Sequence, residues 1–509
     1  MLVAAVILFF SLIRFRLRDV PLERDEGEYA YAGQLMLQGV PPYSLAYNMK
    51  LPGTYAAYAA ILAVFGQTPA AVHVGLLIVN AASTLLVFLL GLRLAGPLAA
   101  AVAAVSFALL STSPSVVGLA GHATHFVILP ALGGILLLLR GVDDRSRWLL
   151  FGSGLLAGIA FLMKQPGIAF VLFSAYCLVI LRRPLAESAV LLAGAVLPFA
   201  LTCVWLWRAG VLARFWFWTF SYAREYGSII GPGRGFLLLL GSALEVMRPS
   251  VWIWCIAAVG LTAIFWKGQP RGRVAFLAGF LVFSFMGVSA GFYFRPHYFV
   301  LMLPAVSLLA GVAVDAATRR MAGLLRIAPT AIFLAAVLLS LVSQREFLFH
   351  LDPLAFSRAM YAPNPFPEAL PIAAYLRQNG SPDAKLAILG SEPEIYFYSG
   401  LRSATGYIYT YELMEPQKYA LEMQKEMIAE IEKAAPEFLV YVNVSLSWLR
   451  NARSQTQIFS WAKSYLDGHY ERAGIVDIGP TSEYLWGQQA KSYQPRSSDT
   501  VEIYKRKGP

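Results

Sequence analysis

The sequence predicts a polytopic α-helical membrane protein of about eleven spans, with a small extracytoplasmic α/β domain at the C-terminal end. Three observations predict it. Hydrophobic residues make up 58% of the 509, against about 45–50% in soluble domains. Strongly apolar runs recur through the first two thirds, with lengths near the ~20 residues that cross a bilayer. The runs are continuous rather than alternating, which argues against a barrel.

The runs fall near 1–17, 70–90, 97–112, 125–140, 148–163, 166–181, 186–206, 250–266, 274–292, 298–314 and 327–343. The first has the apolar core of a signal peptide but neither a basic start nor a clean cleavage site. It reads as a short, even truncated, first membrane helix. The run at 52–66 reads as re-entrant or interfacial.

The short connections set orientation. "GLRLAGP", "RGVDDRSR", "RRP", "KGQPRGR" and "ATRRMAGLLR" hold twelve Lys and Arg, whereas the short connections on the other side hold only Lys164 and Arg295. The basic side is therefore expected to face the cytoplasm. Arg14, Arg16 and Arg18 fall on the other side and are unexplained by this rule.

Two long outer loops result, 18–69 and 207–249. The second is rich in aromatics, which suit an interfacial belt or a cover over a lipid-linked ligand, with "GPGRG" as a hinge. Residues 345–509 then form the outer domain. "AKLAILG" and "PEFLVYVNV" read as strands, "SEPEIYFYSG" as a turn and helix, and "EPQKYALEMQKEMIAEIEKA" as an amphipathic helix.

The net charge of +11 does not point to nucleic acid. Residues 1–344 carry 24 Lys and Arg against 11 Asp and Glu, and residues 345–509 carry 17 against 19. The basic excess thus belongs to the membrane part, where it reports topology and anionic lipid. Cys177, Cys203 and Cys255 lie far apart in apolar runs and suggest neither a metal site nor a disulfide framework.

Five of the eleven acids in residues 1–344 lie between Asp19 and Glu28, in "DVPLERDEGEYA". A solvated helix start explains such acids through the helix dipole. A catalytic carboxylate at the membrane boundary explains them equally well. On a helix Asp25 and Glu26 diverge by about 100°, whereas Asp25 and Glu28 share a face. One of these can serve as general base and another can hold a metal or orient a sugar.

"RDEGEYAYAGQLMLQGVPPY", then "KLPGTYAAYAAILAVFG", resembles the first outer loop of the GT-C superfamily of membrane glycosyltransferases. The closer likeness is to the branch of protein O-mannosyltransferases and the lipid A aminoarabinose transferase. Asp25-Glu26 match its acidic motif, Lys50-Leu51-Pro52 its Lys-Pro motif, and Tyr55 to Gly66 its aromatic helix. "MKQPG" and "RPHYFVLMLPA" extend the resemblance.

The resemblance implies an enzyme that moves a sugar, with inversion, from a polyprenyl-phosphate carrier to a glycan, lipid or protein acceptor at the outer membrane face. It implies Asp25 as base, with Glu26 as a second catalytic carboxylate. Glu28 would assist with sugar, and Lys50, Lys164, Arg295 and His297 would bind phosphate or sugar. Arg224 and Arg234 are further basic candidates, and interfacial snorkelling is the alternative for each basic residue. Relatives carry an acid in the outer loop after the third span. Here "GLAGHATHFVILP" offers His122 and His125 instead, which suit a divalent metal with Glu26 or Glu28, a sugar, or a plain helix start. The C-terminal domain would help bind the acceptor. A bacterial inner membrane with a periplasmic site is the expected location. A transporter or flippase for lipid-linked glycans is the alternative, disfavoured because the charges sit at span ends rather than at the bilayer midplane.

Overall fold

The computed structural model describes residues 1–263, 271–479 and 481–508. The "KGQPRGR" connection lies partly outside them. The chain is mostly helical, and helices stand at every apolar run named above. Among the described residues, six helices are long and apolar enough to cross a membrane: Pro69–Ala95, Ala123–Asp143, Leu185–Arg208, Pro232–Ala263, Pro296–Arg320 and Gly323–Ser343. Pro52–Phe65, Pro97–Thr112, Arg147–Met163, Gln165–Ile180 and Gly272–Val288 are apolar but shorter.

The 207–249 region departs from the expected loop. It folds as short helical turns between Leu212 and Ser228, then as Pro232–Met247, which runs on into Val251–Ala263. "GPGRG", expected as a hinge, opens a helix. Gly231 is the N-cap and Pro232 the first residue of that helix, where a missing N–H costs nothing.

Two of the three misplaced arginines, Arg14 and Arg16, have a structural reason. Arg14 is buried and donates to the carbonyls of Ser111 and Gly118, each at 2.8 Å. Arg16 donates to the carbonyls of Phe347, Leu348 and Leu351. These guanidiniums satisfy orphan carbonyls at helix C-termini, so they report packing rather than sidedness.

The C-terminal residues carry a six-stranded mixed sheet among those described. Its strands are β1 Lys385–Leu389, β2 Arg402–Ser403, β3 Phe438–Asn443, β4 Tyr470–Asp477, β5 Glu483–Trp486 and β6 Thr500–Arg506, in the order β2-β1-β3-β6-β4-β5. β2, β1 and β3 are parallel, and the rest pair antiparallel. β1 opens from "AKLAILG" and is buried at four of its five positions, as a two-faced central strand requires.

The sheet is not a separate ball. One apolar core joins Tyr29, Tyr31, Leu35 and Tyr58 of the first loop to Ile388, Tyr396 and Val440 of the sheet region. Another joins Tyr43, Tyr47 and Leu51 to Trp218, Leu389 and Met427. The first outer loop is therefore clamped between the membrane helices and the sheet.

Candidate functional site

The site is built on helix Arg24–Leu37. Its start is fixed by a reciprocal capping box, in which Glu23 accepts from the Glu26 N–H at 2.9 Å and Glu26 accepts from the Glu23 N–H at 3.3 Å. Gly27 lets the helix approach the C-terminal domain, because a Cβ there would lie 2.6 Å from the Glu394 backbone nitrogen. Gly33 does the same against Ala59, at 2.9 Å. The partner helix, Pro52–Phe65, starts at the proline of the Lys-Pro motif. Leu51 before it is extended, as a residue preceding proline prefers.

The three carboxylates of the first turns have separate fates. Glu26 is turned away from Asp25 into a buried pair. Its Oε1 accepts from the Gly121 N–H at 2.5 Å and lies 3.1 Å from His73 Nε2. His73 Nδ1 faces the Arg18 carbonyl at 2.7 Å. Two acceptors flank the ring, so a doubly protonated imidazolium satisfies both. Burial pushes Glu26 up, but His73 and the Gly121 N–H outweigh it and hold the carboxyl below its ordinary value. Glu26, expected as a second catalytic carboxylate, is thus buried and already partnered by His73 and the Gly121 N–H.

Glu28 is fully buried. Its oxygens accept from Tyr55 OH at 2.7 Å, Asn48 at 3.1 Å and Lys50 Nζ at 2.5 Å. Lys50 bridges to Asp25 Oδ1 at 2.8 Å and lies over the ring of Tyr29. Burial lowers the lysine's affinity for its proton, but the two carboxylates more than reverse this and keep the ammonium charged well above the ordinary lysine range. Lys50, expected among the phosphate ligands, is thus engaged by two carboxylates in this structure.

Asp25 alone of the three remains reachable. Its side chain is 20% exposed, against 2% for Glu26 and 0% for Glu28. Burial raises its proton affinity, but Lys50 and His122 outweigh this and hold the carboxyl well below the usual range. His122 Nδ1 sits 3.4 Å from Asp25 Oδ2 and 3.9 Å from Glu23. It is buried without a hydrogen bond. The rings of His122 and His297 stack in parallel at 4.0 Å.

Asp25, His122 and His297 each present one donor atom within 4.8 Å of the others. One carboxylate oxygen and two imidazole nitrogens are a donor set that suits divalent transition metals. Among the described residues this is the trio that comes together; of the candidates Glu26, Glu28, His122 and His125 it includes only His122. His125, one turn into its helix, is buried away from the trio with Nε2 unpartnered.

The remaining cations gather nearby. Lys164 lies over the ring of Tyr298 at 4.1 Å. Burial lowers its pKa to about 7, with Asp25 pulling the other way. Arg295 is flanked by Tyr226, Tyr298 and Tyr409 and stays firmly charged. Neither has a carboxylate at ion-pair distance among the described residues. Arg224 and Arg234 are exposed.

Two contributors escaped the sequence reading. Tyr409 OH, from the C-terminal domain, donates to Asp25 Oδ1 at 3.1 Å. Arg24 reaches into the same domain, donating to the Ser391 carbonyl at 2.5 Å and to Asn364 and Glu392. The run "YIYTYE", with tyrosines at every second position, was the one signal available for Tyr409.

Comparisons with known proteins agree with this architecture. A family model described as dolichyl-phosphate-mannose-protein mannosyltransferase matches residues 50–207. Curated proteins gave no match. ArnT from Cupriavidus metallidurans bound to undecaprenyl phosphate is 16% identical with a TM-score of 0.61, covering 99% of this chain and 97% of that one. The oligosaccharyltransferase AglB from Archaeoglobus fulgidus, in complex with an inhibitory peptide and a dolichol-phosphate, is 12% identical with a TM-score of 0.52, covering 96% and 74%. Arabinofuranosyltransferase AftD from Mycobacteria is 14% identical with a TM-score of 0.52, covering 99% and 41%. The chain shares its fold with ArnT and AglB, and over residues 50–207 it is similar to the protein-mannosyltransferase family.

Proposed function

We propose that the protein is an inverting glycosyltransferase that moves a sugar from a polyprenyl-phosphate carrier to an acceptor at the outer face of a membrane. The observation that carries this reading is the exposure of Asp25 alone among three packed carboxylates, beside two cations, Lys164 and Arg295, that have no carboxylate at ion-pair distance among the described residues.

In this reading the donor phosphate binds Lys164 and Arg295. An acceptor hydroxyl gives its proton to Asp25 Oδ2, and its oxygen bonds to the anomeric carbon from the face opposite the phosphate. The carbon–oxygen bond to phosphate breaks, and its electron pair leaves on the carrier. The new negative charge falls beside the two cations, where fixed positive groups stabilise a transition state most. A carboxylate held this low is a weak base. That suits a transition state in which the phosphate departs ahead of proton transfer. The carrier's negative charge also opposes the pull of Lys50 and strengthens the base once donor is bound.

The same three groups fit a divalent cation, with His122 Nδ1 as the buried atom in need of a partner. Asp25, His122 and His297 would hold it, and it would supply Lewis-acid stabilisation of negative charge on the donor. The basic connections support a cytoplasmic side opposite the site. We place the protein in a bacterial inner membrane with the site and the sheet domain periplasmic, and we count Leu2–Arg16 and the shorter apolar helices other than Pro52–Phe65 among about eleven spans.

The test supplies membranes with radiolabelled polyprenyl-phosphate sugars and compares wild type with Asp25→Asn, with and without EDTA. Label should leave the carrier, and the Asn variant should lose about 10²-fold or more. Equal transfer by both proteins would remove Asp25 from the reaction. Movement of label between leaflets without transfer would favour a flippase. Loss of transfer on EDTA, restored by a divalent ion, would support the cation.

A further inference from the structure

The C-terminal domain touches the reacting carboxylate itself, which is more than an acceptor-binding appendage requires. Asp25 Oδ1 receives two donors, Lys50 Nζ at 2.8 Å from the first loop and Tyr409 OH at 3.1 Å from the C-terminal domain. Oδ2 faces His122 Nδ1 at 3.4 Å and has no other donor among the described residues. The tyrosine also lies beneath Lys50, whose Nζ is 5.5 Å from its ring centroid. It therefore contacts both partners of the ion pair, and it is only 8% exposed.

The segment that carries Tyr409 is pinned along its length. Gly406 accepts from the Tyr47 N–H at 2.7 Å. Glu430 accepts from Thr405 at 2.6 Å, from the Gly406 N–H at 2.9 Å and from Tyr47 OH at 2.9 Å. The Thr410 N–H donates to Ser391 Oγ at 3.0 Å. Tyr411 meets Tyr409 edge-on at 4.9 Å, accepts from Arg24 at 2.6 Å and donates to the Leu446 carbonyl at 2.6 Å. Arg24 precedes Asp25, so the same domain grips the neighbouring residue. Ser391, which accepts from Arg24, lies just past the carboxyl end of β1. That is where open parallel sheets ordinarily receive ligands. Here that end receives the catalytic helix.

The structure assigns Tyr409 as a positioning residue that holds Asp25 Oδ1, so that Oδ2 alone is presented to the reacting atoms, and it makes the C-terminal domain part of the active site. The assignment rests on the glycosyl-transfer reading above, and it holds whether Oδ2 takes a proton or binds a cation. A positioning residue acts on kcat, and Tyr409→Phe keeps the aromatic ring beside Arg295, so donor binding is preserved while the hydrogen bond to Asp25 is lost.

The experiment measures kcat and donor KM for wild type, Tyr409→Phe and Tyr407→Phe with a radiolabelled polyprenyl-phosphate sugar, alongside melting temperatures. Tyr407 is the control. It lies in the same segment and donates to a carboxylate, Glu426, at 2.6 Å, away from Asp25. Tyr409→Phe should lower kcat about ten- to a hundredfold, the loss of one hydrogen bond to a charged group, with KM within about twofold. Tyr407→Phe should leave both unchanged. A second measurement places p-benzoylphenylalanine at position 409, and illumination should cross-link it to the peptide containing Asp25. Wild-type kcat in Tyr409→Phe, an equal loss in both variants with equal melting shifts, or the lack of a cross-link would overturn the assignment. A wild type that transfers no sugar would sink the glycosyl-transfer reading instead, and the cross-link would still decide whether Tyr409 lies on Asp25.

Discussion

Replacing Lys50 with alanine separates two roles for that residue. In the sequence it is a phosphate ligand. In the structure it is the counter-ion of Asp25 and Glu28, at 2.8 and 2.5 Å. A single pair at 2.8 Å is worth about 6 kcal/mol gross at an effective dielectric of 20. Desolvation offsets much of that, and breaking a buried pair typically costs about 3–5 kcal/mol net. Lys50 and Asp25 are 17% and 20% exposed, so screening is modest. Glu28 limits the damage, since burial already raises its proton affinity and it can take up a proton once Lys50 is gone. The expected cost is therefore about 3 kcal/mol, the low end of that range, read as a fall of several degrees in apparent melting temperature. Asp25 loses one of the two donors on Oδ1, so kcat should fall about tenfold, with donor KM little changed. The assay is thermal unfolding in detergent beside steady-state transfer. An unchanged melting temperature with a donor KM raised tenfold or more would refute the reasoning and return Lys50 to the phosphate.

The remaining predictions concern Lys164 and Gly27. Lys164 must be charged to hold phosphate, and its pKa in the free protein is depressed to about 7 by burial. Above pH 7 binding must therefore recruit a proton, and donor KM should rise by up to tenfold per pH unit. Lys164→Arg should flatten that rise, and KM measured from pH 6.5 to 8.5 in both proteins checks it. For stability the sign is opposite. The folded state binds fewer protons than the unfolded state between about 7 and the ordinary lysine value, so Lys164 makes stability increase with pH across that window. Gly27→Ala would drive a Cβ to 2.6 Å from the Glu394 backbone nitrogen, which cannot yield as a flexible side chain can. The helix should lift off the C-terminal domain, with loss of stability and of transfer together, and limited proteolysis between residues 344 and 366 should accelerate.

The helical membrane plan was legible because hydrophobic runs carry it, and helices stand where the runs fall. The 207–249 region was misread because tryptophan, arginine and glycine broke a hydropathy signal that the backbone nevertheless continued as helix. Arg14 and Arg16 defied the charge rule because a guanidinium can be spent on helix-end carbonyls, a use that no count of loop charges detects.

The acidic motif was visible as an excess of carboxylates, but its division of labour was not. Spacing showed that Asp25 and Glu28 share a face, and they do share Lys50. Which carboxylate stays reachable depended on residues with no sequence proximity. His73 and Gly121 take Glu26, and Tyr55 and Asn48 help Lys50 take Glu28. Each buried acid has been matched with donors, as low-dielectric burial demands. The two matched acids build the pocket, and Asp25, with Oδ1 held by two donors and Oδ2 facing His122, is left to act in it. Three carboxylates are packed there because a single exposed one can be aimed only when its neighbours are anchored on both sides.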